Sequence, residues 1–314
     1  MSIKNTTIIV GAGLSGLIAA HRLQQNGKKV LLLEKSKGLG GRMATRRDEN
    51  ATFDHGAQFF KVSRQYEEPK NYLGFIEDSC KKNWLQPWFE NEKSLYLAAQ
   101  GGLTTLAKNL ALGLEIKKEQ KVVKITQHSA SLEVACESGQ QFVCDQLILS
   151  APLPQSLELL KASQISYDSQ LEAVVYAKAL IGLLELAENW SKAPYLESVN
   201  ENIFSISEQK SKAVSSATAL TLTMSPAFSE THFAKSDDEI LILIQKAFSE
   251  WAQSQGLSLK IQKSQAKKWR YSHPLQKLNT LSLALSQSPR IHLIGDAFGG
   301  SSLKGAFLSG DSIS

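Results

Sequence analysis

A glycine-rich turn near the amino terminus constrains the fold of this chain more than any other feature. It follows a short apolar run, Thr6 to Val10, and opens a segment with helical periodicity, Leu14 to Gln25. A second apolar run, Lys29 to Leu33, completes a strand–helix–strand unit. In this context the spacing GxGxxG predicts a Rossmann-type dinucleotide-binding unit. The turn consists of Gly11, Ala12, Gly13, Leu14, Ser15 and Gly16.

The residues of this unit suggest which dinucleotide it binds. Gly11 permits the tight turn, Gly13 lets the backbone approach a pyrophosphate, and Gly16 lets the helix pack closely on the strand. Glu34 follows the second strand, 18 residues after Gly16. A carboxylate there accepts hydrogen bonds from ribose hydroxyls and repels a 2′-phosphate. The unit is therefore expected to bind FAD or NAD rather than NADP.

Motifs outside this unit favour FAD. Gly40-Gly41-Arg42 lies shortly after Glu34, and a guanidinium matches the geometry of a phosphate. A second motif runs through Phe53, Asp54, His55, Gly56, Ala57, Gln58, Phe59 and Phe60. Three more segments contribute: 268–271, 290–300 and 305–310. In combination these motifs resemble the flavin-dependent amine oxidase superfamily and, within it, the renalase-like proteins of bacteria.

The resemblance implies FAD as the cofactor and a set of residues that hold it. Arg42 would contact the pyrophosphate, Asp296 the ribityl chain, and the backbone near Val123 the adenine. The helix from Gly305 to Gly310 would point towards the flavin. Family members usually continue this helix well past its last glycine, whereas here little more than a turn separates Gly310 from Ser314. The predicted cofactor-binding residues are Gly11, Ala12, Gly13, Leu14, Ser15, Gly16, Glu34, Lys35, Gly41, Arg42, Met43, Gly56, Ala57, Gln58, Val123, Asp296 and Ala306.

The resemblance also implies a reaction. Renalase-like enzymes take a hydride from isomeric dihydronicotinamide dinucleotides to flavin N5 and pass the electrons to O2. A dihydropyridine becomes aromatic when it loses a hydride, so the site needs a flat slot and orientation rather than a strong base. Candidate slot walls are Phe59, Phe60, Trp269 and Tyr271, and candidate orienting groups are Gln58, Arg270 and His273. The predicted catalytic residues are Gln58, Phe59, Trp269 and His273.

Two other functions remain open. A flavin amine oxidase or desaturase would share the cofactor residues, and amine oxidases often use a lysine near flavin N5, for which Lys268 and Lys304 are the candidates. A non-catalytic flavin-binding protein is the second alternative, and it is favoured by the short carboxyl-terminal helix.

Composition limits the class of protein. Charged residues make up 21% of the chain and the formal net charge is only +5, without a long basic block, so no nucleic acid partner is expected. No apolar stretch is long enough to predict a membrane span. The three cysteines, Cys80, Cys136 and Cys144, do not form a zinc pattern or a disulfide framework. Cys136 and Cys144 could lie nearly opposite on a hairpin. We expect a cytoplasmic oxidoreductase with a small-molecule substrate and no metal.

The predicted fold is α/β with two domains. A discontinuous Rossmann-type FAD-binding domain comprises residues 1–62, 100–155 and 285–314. An α+β substrate domain with a mixed or antiparallel sheet and helices comprises residues 63–99 and 156–284.

Overall fold

The structure, a computed structural model, describes residues 6–313. Strands are short except for two. In chain order the strands are β1 (Thr6–Val10), β2 (Lys29–Leu33), β3 (Thr45–Arg47), β4 (Thr52–Asp54), β5 (Phe60–Ser63), β6 (Leu85–Asn91), β7 (Ser94–Ala99), β8 (Glu115–Lys117), β9 (Val122–Gln127), β10 (Leu132–Cys136), β11 (Gln141–Cys144), β12 (Gln146–Leu149), β13 (Tyr176–Leu186), β14 (Tyr195–Glu197), β15 (Ile203–Glu208), β16 (Ala219–Met224), β17 (Ile261–Pro274), β18 (Leu283–Gln287) and β19 (Arg290–Leu293).

The helices vary from one turn to five. They are α1 (Leu14–Gln25), α2 (Lys70–Lys81), α3 (Leu103–Leu110), α4 (Leu153–Ala162), α5 (Pro226–His232), α6 (Asp237–Ser254), α7 (Asp296–Gly299) and α8 (Leu303–Asp311), with a 3₁₀ helix at Ser169–Ala173. Among residues 6–313, no helix combines the length and the apolar character needed to cross a bilayer.

The chain forms two compact units. The first unit comprises Met1–Gly41, Ala107–Val175 and His273–Ser314, and the second comprises Arg42–Leu106 and Tyr176–Ser272. Their bounds differ from those of the predicted domains, since residues 42–62 belong to the second unit. The assignment of an FAD-binding and a substrate domain remains a prediction about function.

The first unit contains the predicted Rossmann fold. Its six-stranded sheet has the order β18-β19-β12-β1-β2-β8. β1 pairs in parallel with β2 and with β12, because its side chains are buried on both faces and suit the centre of a parallel sheet. α1 turns its apolar face inward, with Leu17 and Leu23 fully buried. β9, β10 and β11 form a separate antiparallel sheet.

The second unit is built around a five-stranded sheet with the order β14-β15-β16-β13-β17. One face of this sheet packs against α6, whose first turn is fixed by a capping box between Ser236 and Glu239. Leu180 and Leu184 of β13 are buried in that core. A three-stranded sheet, β5-β7-β6, and the β3–β4 hairpin complete the unit. The prediction of an α/β fold with parallel and antiparallel sheets is confirmed.

Several local predictions were wrong. Residues 36–62, interpreted as loop, contain β3, β4 and the start of β5, and the single strand expected from Gln141 to Leu149 is divided into β11 and β12. Cys144 lies opposite Leu132 rather than Cys136, because the β10–β11 pairing places Ala135 opposite Gln141. All three cysteines are free. The last helix, α8, ends at Asp311, one residue after Gly310.

Candidate functional site

The glycine turn of the first unit has the shape that a phosphate cradle requires. Gly11 has a φ of +104°, and a Cβ there would lie 2.8 Å from Ser150 Oγ. A Cβ on Gly16 would collide with the carbonyl oxygen of Gly11. A Cβ on Gly13, in contrast, would meet nothing within 4 Å. The turn is therefore tightly packed behind Gly11 and Gly16 and open above Gly13.

The first backbone N–H groups of α1 lie at this open space. α1 begins at Leu14 with Gly13 as its N-cap, and no side chain caps its first backbone N–H groups. Gly40 forms a β-bridge to Gly13 and donates its N–H to the carbonyl of Ala12 over 2.9 Å. Gly41 lies beside Gly13, with 3.6 Å between its Cβ position and Gly13 Cα. Ala12 and Leu14 are buried, as is Ser15.

Glu34 is buried next to this turn. Its Oε2 accepts the backbone N–H of Ala12 over 2.9 Å, and its Oε1 accepts that of Ser36 over 2.8 Å. Each carboxylate oxygen can accept a further hydrogen bond. Lys35 points elsewhere and donates to Gln155 over 3.0 Å.

The segment that precedes β9, the strand of Val123, is hydrogen-bonded to Glu34. The backbone N–H of Gln120 donates to the carbonyl of Glu34 over 2.9 Å. Val123 is 38% exposed and lies at a bulge, where the register passes from Lys124 to Val122 without pairing it. A bulge leaves backbone groups outside the ladder. The backbone at Val123 is therefore suited to an external partner.

The remaining predicted residues of the first unit lie near its carboxyl end. Asp296 is buried and begins α7 after Gly295, whose N–H donates to Ser309 Oγ over 2.8 Å. Ala306 lies half-buried in α8. His273 is the residue before the end of β17.

In the second unit, Arg42 and Met43 lie against residues 56 and 57. The carbonyl of Arg42 accepts the N–H of Ala57 over 2.9 Å, and a Cβ on Gly56 would collide with that carbonyl. The Arg42 guanidinium donates to the carbonyl of Ser272 over 3.1 Å and lies 5.9 Å from the centre of the Tyr176 ring. Met43 is fully buried.

A buried polar network holds the segment from Asp54 to Gln58. Lys212 Nζ lies 2.9 Å from Asp54 Oδ2, and both side chains are completely inaccessible. Lys212 Nζ also donates to Gln58 Oε1 over 3.3 Å, and Gln209 Nε2 donates to the same oxygen over 3.1 Å. Gln58 Nε2 donates to the carbonyls of Asp54 and Gly56. Both donors and both lone pairs of the Gln58 amide are thus engaged.

The network also satisfies the other oxygen of Asp54. Its Oδ1 accepts the hydroxyl of Thr45 over 2.6 Å and the backbone N–H of Leu103 over 2.9 Å. Burial lowers the pKa of Lys212, and the charge of Asp54 opposes this effect. Removing either member of this pair would leave the other without its partner in a dry environment.

His55 is neutral at physiological pH. Its pKa is lowered to about 4, first by burial and then by the charge of Lys267. Its ring stacks on Trp269 with 5.6 Å between centroids, and the indole Nε1 donates to the His55 carbonyl over 2.7 Å. His55 Nδ1 is a buried atom without a hydrogen-bond partner among the described residues.

Phe59 belongs to a cluster of five aromatic rings in the second unit. It contacts Tyr96 and Tyr195 edge-on, at centroid distances of 4.9 and 5.2 Å. Trp88 and Phe89 complete the cluster, and Lys212 Nζ lies 5.3 Å from the Trp88 ring. Burial raises the pKa of Tyr195 to about 12, so its hydroxyl stays protonated. We call these five residues the aromatic cluster.

Sequence reasoning missed Lys212 and Gln209. The lysine candidates were Lys268, which donates to the carbonyl of Lys235 over 2.6 Å, and Lys304, which lies in α8. Lys212 follows β15 in a polar stretch typical of a surface turn, so its sequence context gives no sign of burial. Only the tertiary partners Asp54 and Gln58 distinguish it. No group of three or more metal-ligating side chains occurs among residues 6–313.

Comparison with known proteins identifies the family. The model for NAD(P)-binding Rossmann-like domains matches residues 9–74, and the model for flavin containing amine oxidoreductases matches residues 72–313, more than half of the chain. The chain therefore belongs to the flavin-containing amine oxidoreductase family, and its cofactor is FAD.

Individual relatives share only part of their length with this chain. Mouse renalase is 29% identical over 167 residues, which are 48% of each chain. The 4,4′-diapophytoene desaturase (4,4′-diaponeurosporene-forming) of Staphylococcus haemolyticus is 38% identical over 74 residues, which are 24% of this chain and 14% of the desaturase. The matches thus span half or less of these curated relatives.

Solved structures with the same fold cover nearly the whole chain. A protein from Exiguobacterium sp. 255-15, provisionally named a protoporphyrinogen oxidase, has a TM-score of 0.72 at 15% identity and covers 99% of this chain and 98% of its own. The PF1083 protein of Pyrococcus furiosus has a TM-score of 0.60 at 15% identity, with 97% and 95% covered. At this identity the likeness establishes the fold alone.

The first unit fits the FAD that the family implies. The space above Gly13 is one that a Cβ would occupy, and the uncapped start of α1 directs N–H groups and a positive dipole end towards it. Glu34 retains acceptor capacity for a ribose.

Proposed function

We propose that the chain is a renalase-like oxidase that takes a hydride from isomeric dihydronicotinamide dinucleotides and passes the electrons to O2. The observation that carries the proposal is that the segment from Asp54 to Gln58 lacks a strong base. His55 is a weak base because its pKa is lowered to about 4, Asp54 is paired with Lys212, and the Gln58 amide is saturated. No group of this segment is poised to remove a proton. That arrangement suits a substrate that becomes aromatic on losing a hydride and needs no base.

The proposed cofactor residues have separate tasks. FAD, when bound, would supply a hydride acceptor at N5 and pass the two electrons received from the substrate to O2, which becomes hydrogen peroxide. The open backbone at Gly13 and the start of α1 would hold the pyrophosphate, and Glu34 would bind the adenosine ribose. By family resemblance, Arg42 would add a phosphate contact and Asp296 would bind the ribityl chain. The other cofactor residues predicted from the sequence remain proposals of the same kind.

The substrate would be held by flat aromatic surfaces. Phe59 is fixed on two sides by edge-on rings, and Trp269 is fixed by its stacking on His55 and by a hydrogen bond. Rings held in this way offer flat faces to a nicotinamide at little entropic cost. We propose that Gln58 acts through position: because its amide is engaged, it fixes the backbone of the segment rather than a substrate carboxamide. His273 remains a candidate for orienting substrate.

An anaerobic half-reaction tests the proposal. The purified holoprotein is mixed with isomerised NADH, with ordinary NADH and with a panel of primary amines, and the visible flavin band is followed. Rapid bleaching by the isomerised dinucleotide alone, with recovery in air, is the expected result. Trp269→Phe should raise KM more than it lowers kcat, because it weakens the slot without altering the flavin. Bleaching by ordinary NADH at the same rate would contradict the proposal.

Amine oxidation is the second candidate, and one observation favours it. Lys212 provides a buried lysine next to the flavin-lining motif predicted from the sequence, which Lys268 and Lys304 do not. In the same assay, bleaching by primary amines and not by the dinucleotide would establish this function instead. A colourless protein that takes up no FAD would favour the non-catalytic alternative.

We also propose a cytoplasmic location and small-molecule partners. The three free cysteines suit a reducing compartment. The modest net charge of +5 gives no reason to expect a nucleic acid partner. Fractionation of the native host, followed by immunoblotting, tests the location.

A further inference from the structure

A second polar site lies in the second unit, on the sheet face opposite α6. A cavity of about 340 Å³ opens there, within the range of small-ligand sites. Phe53 and Leu183 form its apolar part, and Asp48, Glu185, Ser264 and Gln265 contribute polar groups. The function proposed above assigns no role to these polar residues.

Glu185 is the unusual member of this set. It is only 4% exposed, yet no described residue donates a hydrogen bond to its carboxylate or lies within ion-pair distance of it. The carboxylate oxygens therefore keep contact with the open cavity, where water or a ligand must supply their hydrogen bonds. By contrast, Asp54 in the same unit has a partner for each oxygen.

The geometry of β13 directs Glu185 into the cavity. Leu184 and Leu186 face α6, as members of its core. Since side chains alternate along a strand, Leu183 and Glu185 lie on the other face, and Leu183 packs with Phe53. The only lysine at the cavity, within the described chain, is Lys263, and it binds Glu49 over 2.7 Å. Its hydrogen bond to Glu49 raises the pKa of Lys263, and the charges of Asp48 and Glu185 add to that effect.

The charges around the cavity favour a cation. Three carboxylates, Asp48, Glu49 and Glu185, act on the single ammonium of Lys263, whose ion pair is formed with Glu49. Gln265 donates to Asp48 over 3.0 Å, which fixes that carboxylate at the rim. A metal ion would need more ligands than these residues supply, since no described group of three or more metal-ligating side chains exists. An organic cation needs one strong acceptor and an apolar surface for its carbon chain.

We infer that this cavity binds a primary alkylammonium group, with Glu185 accepting its hydrogen bonds and Phe53 and Leu183 contacting its carbon chain. A buried carboxylate recognises an ammonium group through charge-assisted hydrogen bonds. The inference is independent of the proposed reaction, because it uses other residues and concerns binding rather than turnover.

Calorimetric titration of the holoprotein with n-propylamine, n-butylamine and n-hexylamine tests the inference, and the alcohols of equal length serve as uncharged probes. The amines should bind and the alcohols should not. Glu185→Gln should weaken amine binding about tenfold or more, since it removes a charge-assisted hydrogen bond. Asp48→Asn should weaken it less. The control is Glu250→Gln, which removes an exposed carboxylate of α6 and should leave binding unchanged.

Thermal unfolding and a titration with Mg²⁺ keep the test decisive if amine affinity is low. In the absence of amine, Glu185→Gln should unfold at the same temperature as the wild type or higher, because no described residue donates a hydrogen bond to the carboxylate that is lost. A lower unfolding temperature would mean that Glu185 has a structural partner, and it would overturn the inference. Amine binding that is equal in wild type and Glu185→Gln, or binding of Mg²⁺ in place of the amines, would also overturn it.

Discussion

Replacing Lys212 by methionine should destabilise the second unit far more than an ordinary ion pair would suggest. Methionine keeps an unbranched side chain of similar volume and removes only the ammonium group. Asp54 Oδ2 then loses a donor at 2.9 Å in a region with no access to water. Leaving one member of a buried pair uncompensated costs about 3–5 kcal/mol. The matched control is Lys121→Met: its ammonium lies 2.9 Å from Glu137, but both side chains are more than half exposed. An exposed pair contributes below about 1 kcal/mol.

The assay is urea unfolding of the FAD-free protein, followed by circular dichroism, for both single variants and for Asp54→Asn with Lys212→Met. The double variant should recover part of the loss, because asparagine keeps one acceptor for Thr45 and Leu103 and carries no buried charge. If Lys212→Met and Lys121→Met reduce the free energy of unfolding by the same amount, the buried network does not hold the segment from Asp54 to Gln58.

Three further predictions concern the glycine turn, His55 and Glu34. Gly13→Ala should leave the apoprotein as stable as the wild type and abolish tight FAD binding, whereas Gly16→Ala should destabilise the fold; thermal unfolding and FAD titration separate the two effects. His55 has a folded pKa of about 4 against an ordinary 6.5, so its protonation favours the unfolded chain. The contribution of His55 to the free energy of unfolding is therefore fully present above pH 6.5 and falls by about 3 kcal/mol as the pH drops towards 4. In His55→Phe the free energy of unfolding should depend less steeply on pH, and identical pH dependence in variant and wild type would refute the assignment. Glu34→Gln should weaken FAD binding about tenfold in a fluorescence titration, while Glu115→Gln, an exposed control on β8, should not.

The sequence predicted those parts of the fold whose signals are local. β1, α1 and β2 have the bounds expected from periodicity, because each is long enough to show a repeating apolar pattern and is followed by a glycine or a polar residue. β3 and β4 have three residues each, too few for a pattern, and they form by pairing with each other. Their existence depends on a partner strand rather than on composition.

The candidate site shows the same division. The GxGxxG spacing identified the phosphate cradle because the close packing at Gly11 and Gly16 leaves room only for glycine, and that requirement is visible in the sequence. The burial of Lys212 has no such signal in the sequence, because its partners Asp54 and Gln58 lie more than 150 residues earlier in the chain. Gln58 was predicted from its motif, but its saturated amide could not be foreseen without those partners. Glu185 lies near the end of a mostly apolar strand, where nothing in the sequence indicates that it faces a cavity.

The position of β1 at the centre of its sheet has a consequence for synthesis of the chain. Its neighbour β2 emerges from the ribosome soon after it, but β12 on its other side begins at Gln146, and β19 beyond that at Arg290. α8 packs on α1 so closely that a Cβ on Gly310 would collide with the backbone of Ser15. The nascent dinucleotide unit therefore exposes apolar strand edges until β19 has been translated. Chaperone dependence during expression should follow from this arrangement, because edges that wait for distant partners are prone to aggregate.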